Sequence, residues 1–231
     1  MNRERTNQIR FVIEDLIPPT LRDSWLLRTT AKLIWSDYID KFASFRERGA
    51  FLTDEEYDAV YRDFPRVHEH TDNSEACIER ICRDVVGESV CDVGCGGGAL
   101  LRRIKRARPE IGQLTGVDFQ VDAPGMQDGI EFLEAKIEAL PFPDGHFDTV
   151  VCTHVIEHIL DYRQAIAELR RIARRRLIIV VPREREYRYT FNAHLQFFPY
   201  TYSFLRAMVP VPEAHVCEDI HRDIYYQEDC A

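Results

Sequence analysis

Hydrophobic positions change their period part way along this chain, and the change divides it. Before Asn73 they recur at helical spacing. Ile9, Val12, Ile13, Leu16 and Ile17 predict a helix that Pro18-Pro19 stops. A longer helical stretch from Leu21 to Phe45 carries Trp25, Leu26, Leu33, Ile34, Tyr38 and Phe42, with Gly49 as its stop. Thr53-Asp54-Glu55-Glu56, preceded by Leu52, is a capping box with a hydrophobic staple. It opens a short helix through Tyr57, Val60 and Tyr61 that ends before Pro65, and His68 to Asn73 reads as a polar linker.

From Ser74 onward, helical stripes alternate with short apolar runs rich in β-branched residues. Ser74 caps a helix striped by Ile78, Ile81, Cys82, Val85 and Val86, and Gly87 ends it. Ser89 to Val93 is a strand. After a glycine turn, Ala99, Leu100, Leu101 and Ile104 form a helix that stops near Pro109. Leu114–Phe119, Ile130–Ala135 and Phe147–Thr153 are further strands. Asp161 caps a helix with Tyr162, Ala165, Ile166, Leu169 and Ile172 on one face, and Leu177–Val181 follows as a strand closed by Pro182. Two last strands fall between His215 and Asp229. This alternation predicts a doubly wound α/β fold with a mostly parallel sheet. Ligands of such folds bind beyond the carboxyl ends of the strands. The glycine turn, Asp118, Ile137, Thr153 and the stretch after Pro182 should therefore converge.

Composition narrows the classes. With 231 residues and 45% hydrophobic positions, the chain can bury a substantial core. A formal net charge of −9 argues against a nucleic-acid binder. No apolar run approaches the length of a membrane span, and Met1-Asn2-Arg3-Glu4-Arg5 has no signal-peptide character. Seven cysteines without a small secreted framework suggest free thiols and a cytoplasmic protein. Arg102, Arg103, Lys105, Arg106 and Arg108 read as a solvated face near a helix C-terminus.

The chemistry centres on Asp92-Val93-Gly94-Cys95-Gly96-Gly97-Gly98-Ala99. A glycine turn between strand and helix lets a ligand reach bare backbone N–H groups. Taken alone, the turn also fits the dinucleotide pattern G-x-G-x-x-A, and Asp118 suits a ribose in either case. An NAD(P)-dependent oxidoreductase therefore stays open on the loop alone. The Tyr187–Thr190 stretch supplies no Tyr-x-x-x-Lys pair for hydride chemistry.

Further segments follow in order: Gly116-Val117-Asp118, then Leu140-Pro141-Phe142-Pro143-Asp144-Gly145-His146-Phe147-Asp148, then Thr153-His154-Val155-Ile156-Glu157-His158. With these, residues 74–182 resemble the class I S-adenosylmethionine-dependent methyltransferases, of the small-molecule type 11 kind. The resemblance implies a seven-stranded Rossmann-like sheet with an antiparallel last strand. It also implies S-adenosylmethionine as cofactor and S-adenosylhomocysteine as product. Gly94, Cys95, Gly96 and Gly98 would then meet the methionine part with Asp92 nearby, and Asp118 would accept the ribose hydroxyls beside Phe119. The family often has an Asp just before the Leu-Pro-Phe segment for the adenine amino group. Lys136 stands there and has no acceptor, so backbone at Ile137 or the carboxylate of Glu138 would replace it. Thr153 and His154 would line the methyl-transfer region.

A hydroxyl acceptor benefits from a base near neutral pKa, and His154, His158 and His194 follow strand ends. His158 also reads as a brace for its loop. No metal centre is expected: His68-Glu69-His70 and His215, Glu218, His221 lack the H-E-x-x-H spacing. Residues 1–73 form the expected helical extension and 74–231 the cofactor domain. Within it, 183–212 is an aromatic cap; together with the extension it would cover the acceptor. The expected function is O-methylation of a small molecule, such as a sugar or glycan precursor or a natural product. A methyltransferase-fold protein that only binds a partner is the other option. The oligomeric state stays open, a homodimer included.

Overall fold

The computed structural model describes residues 11–35, 38–63, 71–189 and 192–230. Two compact units arise from the chain: residues 1–69 with 184–199, and residues 70–183 with 200–231. The aromatic stretch after Pro182 is divided between them. Tyr187, Tyr189, Phe197 and Phe198 belong to the first, and Tyr200, Tyr202 and Phe204 to the second.

The first unit is helical. Val12–Leu16 winds as a wide π-type turn, and Pro19 opens the short helix Pro19–Arg22. The long stretch expected from Leu21 comprises the helices Trp25–Trp35 and Tyr38–Arg48, with residues 36 and 37 outside the described residues. A single 3-10 turn, Gly49–Phe51, follows. The capping box forms as read: Glu56 N–H donates to Thr53 Oγ1 at 3.3 Å, and Thr53 N–H donates to a Glu56 carboxylate oxygen at 3.0 Å. It opens the helix Asp54–Asp63. Phe42 and Phe45 are buried with Ala193, and Leu52, Tyr57, Val60, Tyr61 and Leu195 pack against them. Tyr61 donates to the carbonyl of Ala193 at 2.9 Å. The returning segment 184–199 thus completes a core that the N-terminal helices alone leave open. His68-Glu69-His70 lies outside the described residues.

The second unit is built on an eight-stranded sheet of order β3-β4-β2-β1-β5-β6-β8-β7. The strands are β1 (Ser89–Val93), β2 (Gln113–Asp118), β3 (Gly125–Gln127), β4 (Ile130–Glu134), β5 (Phe147–Thr153), β6 (Ala173–Pro182), β7 (His215–Ile220) and β8 (Asp223–Asp229). β4, β2, β1, β5 and β6 run parallel. β8 is antiparallel to both β6 and β7, as the resemblance implied for the last strand. The eighth strand beyond the expected seven is β3. Three residues long and antiparallel to β4, it is too short and too polar to show a period of two.

β1 and β5 are buried at every position, as strands covered on both faces should be. On one face, the helices Glu75–Asp84 and Ala99–Ala107 contribute Cys77, Ile78, Ile81, Leu100, Leu101 and Ile104 to a core shared with Val90, Val151, Ile178 and Val180. On β5 and β6 the alternate residues Val150, Cys152, Leu177 and Ile179 point the other way. The helix Tyr162–Ile172, capped by Asp161 through Gln164 N–H, packs on those two strands.

β6 begins four residues before the apolar run because its arginines are held. Arg174 pairs with Asp148 at 2.5 Å and Arg176 with Asp229 at 2.8 Å. Asp148 also accepts from the N–H groups of Glu88 and Ser89 (2.8 and 3.3 Å). It thereby fixes the entry to β1. Gly87 is required there: a Cβ on it would lie 2.2 Å from Asp148 Cγ. Arg171 donates to the carbonyls of Leu140 (3.0 Å) and Phe142 (2.6 Å), so the Leu-Pro-Phe-Pro connector is tied to its neighbouring helix.

Candidate functional site

Register brings the strand ends together. Val93 pairs with Val117 and with Cys152, Asp118 with Glu134, and Thr153 with Val180. The segments starting at Gly94, Phe119, Ala135 and His154 therefore leave one edge of the sheet.

The glycine loop begins where β1 runs out. Gly94, Gly96 and Gly98 have φ of 82°, 52° and 75°, values L side chains rarely adopt. The N–H groups of Gly94 and Cys95 both donate to the Val117 carbonyl, at 2.7 and 3.0 Å. Gly96 N–H donates to Asp118 Oδ2 at 2.8 Å, while Asp118 Oδ1 receives Gln120 N–H at 3.3 Å. A Cβ on Gly94 would meet Val155 Cγ2 at 2.0 Å, and one on Gly98 would meet Phe132 Cζ at 2.5 Å. A Cβ on Gly97 would meet nothing within 4 Å. One side of the loop is packed shut and the other is open backbone at the start of a nine-residue helix.

Asp92, on the last turn of β1 before this loop, is buried, and its Oδ1 has no hydrogen-bond partner. Burial pushes its pKa up to about 7, and the charge of Asp118 adds to the effect. A buried carboxylate oxygen without a donor is costly. A cationic N–H donor placed there would relieve that cost. S-adenosylmethionine carries such a group in its α-ammonium, and its ribose hydroxyls are donors suited to Asp118. The residues present fit this cofactor.

The remaining candidates spread around the same edge. Phe119 is 40% exposed, immediately past Asp118. Lys136 is exposed in the turn after β4, where its carbonyl receives Ala139 N–H at 3.1 Å; Ile137 is buried and Glu138 half-buried. Thr153 is buried, and its hydroxyl accepts from Asn73 Nδ2 at 2.8 Å. His154 is half-buried and adopts φ +55°. Its Nδ1 lies 3.6 Å from Glu157 Oε1 and its Nε2 3.8 Å from Asp223 Oδ1. His158 closes the 3-10 turn Ile156–His158 and is half-buried.

His194 belongs to the first unit. Its Nδ1 is 2.5 Å from Glu184 Oε2, and Glu184 Oε1 accepts from Asn192 Nδ2 at 2.8 Å. Arg46 donates to the carbonyls of His194 (3.2 Å) and Tyr187 (2.5 Å), with its guanidinium 4.5 Å from the centre of the Phe197 ring.

Asn73, Glu184, Asn192, Asp223 and Arg46 escaped the sequence reading. Each acts across a long separation in the chain or from a stretch without periodicity. The one local hint was Glu184, two residues beyond the proline that closes β6.

Residues 91–181 match the family model described as a methyltransferase domain. Among curated proteins, the chain is 34% identical over 98 residues to the ubiquinone/menaquinone biosynthesis C-methyltransferase UbiE of Hahella chejuensis. That match covers 38% of this chain and 39% of the relative. It is 31% identical over 96 residues to a 2-phytyl-1,4-naphtoquinone methyltransferase of Trichormus variabilis, covering 37% and 42%. The chain thus spans about two fifths of the length of the curated relatives it matches. Among solved structures, a SAM-dependent methyltransferase from Aquifex aeolicus aligns over 76% of this chain and 98% of its own, with 16% identity and a TM-score of 0.53. The PH0226 protein of Pyrococcus horikoshii aligns over 75% and 99%, with 18% identity and the same TM-score. Both share the fold. Sheet order, glycine loop, Asp118 and the family match together identify residues 91–181 as a class I S-adenosylmethionine-dependent methyltransferase domain.

Proposed function

We propose that the chain binds S-adenosylmethionine at the Gly94–Gly98 loop and transfers its methyl group to a small-molecule acceptor, releasing S-adenosylhomocysteine. The observation that carries this reading is the orphaned, buried Asp92 Oδ1 beside a loop of open backbone anchored on Asp118. When bound, the cofactor supplies an electrophilic sulfonium methyl, so the chain's own task is positioning and proton removal.

The helical first unit would supply acceptor selectivity. Among the three candidate histidines, His194 has the environment of a base. Glu184 pairs with its Nδ1 at 2.5 Å, which orients the ring. Asn192 in turn orients Glu184. His154 lies between the carboxylates of Glu157 and Asp223. Such a base suits an acceptor that loses a proton, and a hydroxyl oxygen is our first reading. A ring carbon activated by a neighbouring hydroxyl is the second, favoured by the likeness to a ubiquinone/menaquinone biosynthesis C-methyltransferase.

The test is transfer of radiolabel from S-adenosyl[methyl-³H]methionine to a panel of hydroxylated sugars, phenols and quinols. Acid-stable label on carbon separates the second reading from the first. Absence of cofactor binding by calorimetry would remove both.

A further inference from the structure

The left-handed turn after β5 is a strained element at the centre of the second unit. A histidine at φ +55° is strained backbone and persists only where its surroundings over-determine it. Three sets of contacts do so here. His154 N–H donates to the Val180 carbonyl at 2.8 Å, which continues the β5–β6 ladder one residue past Thr153. Val155, one residue on, lies so close to Gly94 that a Cβ there would stand 2.0 Å from its Cγ2. The imidazole reaches Glu157 Oε1 with Nδ1 and Asp223 Oδ1 with Nε2, at 3.6 and 3.8 Å.

Asp223 comes from the far end of the chain, as the first residue of β8. It is buried, and its Oδ2 accepts from Ser74 Oγ at 3.4 Å, at the cap of the helix Glu75–Asp84. Three carboxylates face His154: Glu157 from its own turn, Asp223 from β8 and Asp72 from the segment before that helix. Glu157 is also 4.0 Å from His158 Nε2.

We infer that Asp223 is a positioning residue for the cofactor loop: with Glu157 it brackets the His154 ring, which locks the left-handed turn and seats Val155 against Gly94. Cofactor loop and hairpin β7–β8 are thereby linked through one side chain. Burial alone pushes the His154 pKa down, but the attraction of Glu157, Asp223 and Asp72 outweighs it and the net shift is upward. The ion cluster therefore holds at low pH and loosens as pH rises through the raised His154 value. Loss of the charge on the ring weakens its attraction to these buried carboxylates, and the turn is the element that relaxes.

The inference rests on the cofactor reading for its consequence and not for its test, which uses Asp223→Asn and Asp223→Glu in the full chain. Histidine NMR reads the His154 titration without cofactor, and amide hydrogen exchange reads Gly94 and Cys95, whose N–H groups are bonded to Val117. In Asp223→Asn the His154 midpoint should fall by about one pH unit or more. Exchange at Gly94 and Cys95 should quicken at least about tenfold, with amides of Leu101 and Val150 unchanged. Asp223→Glu should restore much of both. A His154 midpoint that does not move, or exchange that rises equally at Leu101 and Val150, overturns the inference. Calorimetry with S-adenosylmethionine is the separate arm. If the wild type does not bind at all, the cofactor reading fails, and NMR with exchange still decides the positioning role.

Discussion

At the scale of residues, the site is defined by two carboxylates with opposite situations. Asp118 is satisfied: it receives the N–H groups of Gly96 and Gln120. Asp92 is buried with an oxygen unpartnered and a pKa near 7, against an ordinary value of 3.8. A carboxyl group whose folded pKa is raised binds its proton more tightly in the folded chain. Stability of the cofactor-free protein should therefore decline as pH rises from about 4 to about 7, all else equal. Asp92→Asn should flatten that decline in a series of thermal melts. Binding of a cation beside Asp92 favours its ionised form. Near pH 7, S-adenosylmethionine should displace up to one proton per molecule bound, seen as buffer-dependent heats in calorimetry, and Asp92→Asn should remove that release.

At the scale of elements, the sequence was most legible where the signal is local. The Ser74 and Asp161 caps, the Thr53–Glu56 box and the strand–glycine–helix turn each depend on residues a few positions apart, and each formed as read. β3 escaped because three residues cannot show a period. The start of β6 escaped because Arg174 and Arg176 look like helix-end cations until Asp148 and Asp229 are placed beside them. The Asp148 contacts also change the meaning of a motif. Within the Leu140–Asp148 segment that marked the family, Asp148 and the Arg171-bound carbonyls serve the fold. Gly87→Ala tests that: with φ +81° and Asp148 Cγ 2.2 Å from the new Cβ, it should cost at least about 1–3 kcal/mol in denaturant unfolding. Gly94→Ala faces Val155 in the same way and should lower cofactor affinity as well as stability, because the loop backbone itself must move.

At the scale of the whole molecule, the cofactor domain was legible and the acceptor was not. Alternating periods yield a mostly parallel sheet covered on both faces, and the strand order comes from the fold. Segment 184–199 could not be placed that way, since it joins Phe42, Phe45 and Tyr61 from more than a hundred residues earlier. The Glu184–His194 pair rests on that return. Under the proposed role, Glu184→Gln should lower turnover by about tenfold or more once an acceptor is found. KM should change less. Glu184→Asp should recover part of the loss.

Among the described residues no helix is long and apolar enough to cross a membrane. Cofactor binding at the Gly94–Gly98 loop is the property on which the proposed activity depends. Isothermal calorimetry of the full chain with S-adenosylmethionine at pH 7 is the measurement that bears on it. The expected result is one site per chain, with Asp118→Ala weakening binding at least about a hundredfold, the loss of a ribose-binding, loop-anchoring carboxylate. No heat with the wild type, or equal binding by wild type and Asp118→Ala, would contradict it.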